Sequence, residues 1–207
     1  MKKGIAVFSL VLCLLFFTTG CDNSAARPST EYANIRDFLT QYEDKEFATN
    51  TEFAGTFVRN LAGLVMKQDD TAAFADWTVS AQTEEGVIVY SKETRLFGYP
   101  ATVNVGFEKK QTKVGAISLI LQSGDKETDY KISSWFYKGL LDKVSKPTQA
   151  YIDGAEKTSK EAEDLIAAYD SSHSITATWP KSSVKWSCMV QYQLDENGNT
   201  FVGVYAK

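Results

Sequence analysis

The chain has 207 residues, 43% of them hydrophobic and 13% aromatic, with 22 basic side chains against 26 acidic ones. Such a length and composition describe a globular protein with one domain and a sizeable core. The net charge of −4 argues against nucleic acid as a partner and against electrostatic attachment to anionic lipid.

The first stretch, residues 1–21, reads MKKGIAVFSLVLCLLFFTTGC. Lys2 and Lys3 make a positive start, residues 5–17 are apolar, and Thr18, Thr19 and Gly20 are small. A charged head, an apolar run too short to span a bilayer comfortably and a small-residue cleavage site describe a secretory signal peptide over residues 1–20. The ending Thr18-Thr19-Gly20-Cys21 resembles the lipobox of bacterial lipoproteins. It matches at Gly20 and Cys21, accepts Thr19 and differs at Thr18, where Leu is usual. The resemblance implies cleavage before Cys21 and acylation (diacyl or triacyl, palmitate-type) of its sulfur. It also implies a membrane-anchored protein on the extracytoplasmic side. Each buried acyl methylene contributes about 0.8 kcal/mol, and more than one chain makes the attachment lasting. In a host with two membranes, Asp22 after the lipidated cysteine resembles an inner-membrane retention signal.

Loss of residues 1–20 takes Lys2, Lys3 and Cys13 away, leaving 20 basic against 26 acidic residues, a net charge of −6. With Cys21 acylated, Cys188 is the remaining thiol. An exported domain with one thiol has no internal disulfide framework, so packing has to stabilise it.

Residues 21–30 comprise Cys21 and the polar run DNSAARPST, which reads as a short flexible tether. Residues 31–207 read as a single domain. Residues 31–48 carry Tyr32, Ile35, Leu39 and Tyr42 at helical spacing with Phe38 beside them, and Ser29 or Thr30 is placed to cap that helix. Residues 53–67 repeat the pattern with Phe53, Phe57, Leu61, Leu64 and Val65, so the two are expected to form an N-terminal helical hairpin. Residues 69–77 read as a short helix or turn.

The pattern then changes to strand. Residues 86–92 are β-branched and aromatic, 96–100 (LFGYP) read as a turn or bulge, and 101–108 alternate. In that run Ala101, Val103, Val105 and Phe107 share one face. Residues 114–122 give a further strand with Ile117, Leu119 and Leu121 inward. Residues 127–146 are the strongest helix, with Ile132, Trp135, Phe136, Leu140 and Val144 in one stripe and Pro147 as its stop. Residues 155–169 read as a second, more polar helix.

Strands return at 174–179 and 184–194. In the second of these Val184, Trp186, Cys188, Val190, Tyr192 and Leu194 alternate with polar residues. Asn197-Gly198 signals a two-residue hairpin turn, which would set Leu194 opposite Phe201, Tyr192 opposite Gly203 and Val190 opposite Tyr205. The expected fold is α+β in two layers: an antiparallel sheet of about six strands with helices packed on one face, behind the helical hairpin.

Chemical motifs are sparse. His173, the one histidine, and Cys188 make the sharpest catalytic pair available. Yet Cys188 falls on the inward face of a strand, where a thiol is inert packing, and His173 lies in a polar turn. The loop Asp195-Glu196-Asn197-Gly198-Asn199 has oxygen ligands at alternate positions. An EF-hand then needs Gly and Glu where this chain has Thr200 and Ala206. The acidic pairs Asp69-Asp70 and Glu84-Glu85 read as solvated surface. No zinc spacing, phosphate loop or nucleophile elbow occurs. No catalytic residue, metal ligand or cofactor is therefore assigned. Phe97 and Tyr99, in the Gly/Pro turn, are candidates for exposed binding side chains. The expectation is a non-catalytic binding or accessory module of the cell envelope, with an envelope protein as partner. The alternative is an envelope hydrolase whose active site the sequence does not reveal.

Overall fold

The computed structural model describes residues 33–43, 45, 51–65, 71–82, 87–108, 114–143, 146–147, 149–168, 171–179, 186–193 and 199–206. The signal stretch with Cys21, the tether, the 109–113 and 195–198 loops, the two acidic pairs and the side chains of Phe53 and Cys188 lie outside what is described.

Asn34 caps the first helix, α1 (Ile35–Thr40), by accepting a hydrogen bond from the Asp37 N–H at 2.8 Å. The cap therefore sits four to five residues beyond the expected Ser29 or Thr30. Helix α2 (Thr51–Val65) follows, and Phe57, Val58, Leu61, Leu64 and Val65 are all buried. The rings of Phe38 and Phe57, 5.0 Å apart, pack α1 on α2. Most of the connection between the two helices, residues 46–50, lies outside the described residues. A 3-10 turn (Thr71–Phe74) leads into the sheet, and Arg36 of α1 reaches it with two hydrogen bonds to Asp76 at 2.9 Å each and one to the Ala73 carbonyl.

The sheet strands are β1 (Thr78–Gln82), β2 (Val87–Leu96), β3 (Tyr99–Glu108), β4 (Val114–Leu121), β5 (Gln149–Ile152), β6 (Ala155–Lys157), β7 (Ile175–Trp179), β8 (Trp186–Gln193) and β9 (Asn199–Ala206). Their order is β1-β2-β3-β4-β9-β8-β7-β5-β6, and each described pairing is antiparallel. Helix α3 (Lys126–Lys143) follows β4, and α4 (Ser159–Ala168) lies between β6 and β7. The α+β class and the antiparallel sheet are as expected, but the sheet has nine strands where about six were expected. The three extra ones are β1, β5 and β6. They are short and lie at the two ends of the sheet, where less apolar patterning is needed. Residues 155–157, expected to begin a helix, form β6 instead, and Thr158 caps α4 in a box with Glu161.

All four described helices bury their apolar stripes on one face of the sheet. Val103, Val105, Ile117, Leu119, Leu121, Val202 and Val204 are each 0% exposed and belong to the same core as Phe57 and Phe136. In α3 the expected stripe holds for Ile132, Phe136 and Leu140, while Trp135 is half-buried.

The C-terminal hairpin corrects the expected register. Tyr192 pairs with Thr200, Val190 with Val202 and Cys188 with Val204. The offset is three residues, an odd number, so it exchanges the two faces of β9. Val202 and Val204 enter the core under the helices, and Phe201 turns to the opposite face. Five residues, 194–198, separate the strands in place of a two-residue turn. The register puts two β-branched side chains, Val202 and Val204, in the core where Phe201, Gly203 and Tyr205 were expected.

The face opposite the helices is not bare of apolar side chains. It carries a second apolar cluster of Val89, Ala116, Met189 and Phe201. Beside that cluster, Ser80, Ser91, Asn104 and Ser118 form a polar row across β1, β2, β3 and β4. Asn104 and Ser118 in this row are buried. The hydrogen bonds within the row satisfy groups that would otherwise cost about 1–3 kcal/mol each to bury.

Candidate functional site

The turn between β2 and β3 consists of Phe97 and Gly98, with Leu96 paired to Tyr99. Both central residues have positive φ, 56° and 79°. Phe97 was expected to stand exposed, and the structure corrects that: its side chain is 2% exposed. Its ring centroid lies 5.0 Å from Phe57, 5.7 Å from Tyr42 and 6.4 Å from Phe136. Its backbone N–H donates to the Tyr42 carbonyl at 2.9 Å. The turn therefore pins the tip of a long hairpin to the helices, and Phe97 is a packing residue. Tyr99 is half-buried and packs against the same core.

His173 and Cys188 do not come together. Cys188 pairs with Trp179, at the far end of β7 from His173. Six residues along an extended chain separate the backbones by roughly 20 Å. His173 instead meets Asp153: its Nδ1–H donates to Asp153 Oδ2 at 2.6 Å. The Ser174 N–H donates to Asp153 Oδ1 at 2.9 Å, and the Ser174 hydroxyl donates to the same oxygen at 3.2 Å. The Asp153 N–H returns a bond to the Ser174 carbonyl at 3.0 Å. The His173 hydrogen bond, aided by the Ser174 N–H, holds the Asp153 carboxyl below the usual aspartate range. Both side chains are well exposed, His173 at 39% and Asp153 at 49%.

This cluster ties the β5–β6 turn, Asp153-Gly154, to the start of β7. Sequence reasoning missed it, although the signal was present: Asp-Gly between two short runs is a two-residue hairpin signature. Chemically it resembles the carboxylate–imidazole pair of a general base. The Ser174 hydroxyl, however, bonds to the carboxylate. In a nucleophilic arrangement the hydroxyl bonds to the imidazole. The geometry is that of a structural clasp.

The space between α3 and the sheet offers a cavity of about 10 Å³, walled by Tyr130, Ser133, Ser134, Tyr137, Val190 and Tyr192. Its serine hydroxyls are turned to their own helix. Ser133 donates to the Tyr130 carbonyl at 2.8 Å, and Ser134 to the Tyr130 and Lys131 carbonyls at 3.0 Å. Burial pushes the Tyr137 phenol up to about 12. A space of that size takes at most about one water, so it is a packing gap and no ligand pocket. Among the described residues no group of three or more His, Cys, Asp and Glu side chains is placed to hold a metal ion.

No protein-family model matches the chain, and no curated protein or solved structure matches it either.

Proposed function

We propose that this chain is an exported lipoprotein, held on the extracytoplasmic face of a membrane by acyl groups on Cys21. It serves there as a non-catalytic binding or accessory module for an envelope protein. The observation that carries the reading is the order of residues 1–21: two lysines, an apolar run, and Thr-Thr-Gly before a cysteine. The polar tether then places the domain close to the membrane, with its two N-terminal helices joined as a hairpin behind it. The engagement of Asp153, His173 and Ser174 in a turn supports the non-catalytic part.

Labelling cells with a palmitate analogue tests the anchor. The wild-type protein takes up label and partitions with membranes, whereas Cys21→Ala does neither. Equal labelling of both forms, or of neither, overturns it. Crosslinking in intact cells, read by mass spectrometry, tests the second part. A specific envelope protein enriched only while Cys21 is intact supports it, and identical background from both forms removes it.

A further inference from the structure

The Asp153-Gly154 turn carries a reactive pair that its hydrogen-bonded surroundings oppose. In any Asp-Gly step the peptide nitrogen of the glycine can attack the aspartate Cγ. A C–N bond forms and a C–O bond breaks; the departing carboxylate oxygen takes the amide proton and one proton from solvent and leaves as water, and the solvent proton is returned when the new carboxyl group ionises after ring opening. The five-membered succinimide is then reopened by water at either carbonyl. Opening at the main-chain carbonyl routes the chain through Asp153 Cβ and Cγ, giving an isoaspartyl linkage. Water lost in the first step is regained in the second, so the mass is unchanged and no other reactant is needed. Glycine leaves the attacking nitrogen unhindered, and a Cβ at Gly154 would meet nothing within 4 Å.

The carboxylate is restrained on both oxygens. Oδ2 is bonded by His173 at 2.6 Å, and Oδ1 by the Ser174 N–H and hydroxyl at 2.9 and 3.2 Å. Ring closure requires the carboxyl group to leave these partners, because both oxygens are held by them and one oxygen has to depart. We propose that Asp153-Gly154 is a latent isoaspartate site, held in its normal linkage by the His173–Ser174 clasp. Conversion adds an atom to the backbone of the turn and breaks the register in which Ile152 pairs with Ala155. The β5–β6 hairpin at the end of the sheet then opens. The inference rests on the clasp alone and is independent of how the chain is anchored.

The test incubates three samples at neutral pH and physiological temperature: the wild-type protein, its His173→Ala variant and a free peptide of residues 149–157. Isoaspartate at position 153 is counted by peptide mapping and by labelling with an isoaspartyl methyltransferase. The peptide converts fastest. The variant converts about threefold faster than wild type, the size of one exposed charged contact. Ser174→Ala, which removes only the longest of the three contacts, falls between them and serves in place of His173→Ala if that variant does not fold. Wild-type conversion at the peptide's rate overturns the proposal. So does a folded variant that stays at the wild-type rate.

Discussion

Two turns in this molecule share one backbone geometry and keep it by opposite means. Phe97-Gly98 joins β2 to β3 with φ of 56° and 79°, and Asp153-Gly154 joins β5 to β6 with φ of 51° and 79°. Each first residue docks its N–H on a distant carbonyl, Tyr42 for Phe97 and Ser174 for Asp153. Asp visits the left-handed region readily, because its short polar side chain bonds locally; Phe does not. At Phe97 the strain is offset by burying a ring among Tyr42, Phe57 and Phe136. At Asp153 the conformation is native to the residue, and three exposed hydrogen bonds decorate it. A positive φ can thus be imposed by the core or chosen by the local chemistry, and the two cases should break differently.

Phe97 carries the largest expected effect. Phe97→Ala should cost about 3–5 kcal/mol, the range for deleting a buried aromatic ring. Phe97→Gly should cost about 1 kcal/mol less than Phe97→Ala, because glycine removes the left-handed penalty that alanine keeps. Urea unfolding of the two variants measures both quantities. If alanine proves as stable as glycine, the turn is not strained and the contrast with Asp153 disappears.

The glycines come next. A Cβ at Gly98 or Gly154 would meet no atom within 4 Å, so Gly→Ala at either position perturbs only the backbone. Gly98→Ala should lower global stability by about 1 kcal/mol. Gly154→Ala should lower it less. Its hairpin consists of strands of four and three residues at the end of the sheet, which can release strain by opening locally. Amide exchange in β6 should then speed up in Gly154→Ala while exchange in β3 stays at the wild-type rate. Equal global losses would show that β5–β6 unfolds only with the whole domain.

The same contrast explains what was legible in the sequence. Segments that pack against the helices declare themselves by period. Ala101, Val103, Val105 and Phe107 alternate, as do Ile117, Leu119 and Leu121, and all lie in the core. β1 (TVSAQ) and β6 (AEK) bury little and leave no such trace. Phe97 misled because a turn in a Gly/Pro setting reads as surface, and only the helices above it make it core. The β8–β9 register misled because Asn-Gly is a strong local signal. Val202 and Val204 prefer the core by more than a two-residue turn gains over a five-residue loop. The Asp153 clasp joins residues twenty positions apart, and no periodicity encodes that. Its Asp-Gly turn was the one local trace.

The smallest effect separates the turns by charge. The carboxyl of Asp153 titrates below its usual value of 3.8 in the folded protein, chiefly because His173 donates to it. A depressed carboxylate contributes stability that is fully present above the unfolded value and is lost as pH falls through the folded one. Asp153→Asn keeps a residue suited to the left-handed region but cannot carry the charge. Wild type should therefore be slightly more stable than Asp153→Asn at neutral pH. The gap should begin to close near 3.8 and vanish at still lower pH, as measured by urea midpoints over that range. The gap between wild type and Phe97→Gly should stay constant over the same range, because Phe97 is held by rings and a backbone hydrogen bond that do not titrate. A Phe97 gap that closed in acid alongside the Asp153 gap would mean that both turns report general acid unfolding. An Asp153 gap closing alone would mark that turn as the one whose anchoring rests on charge.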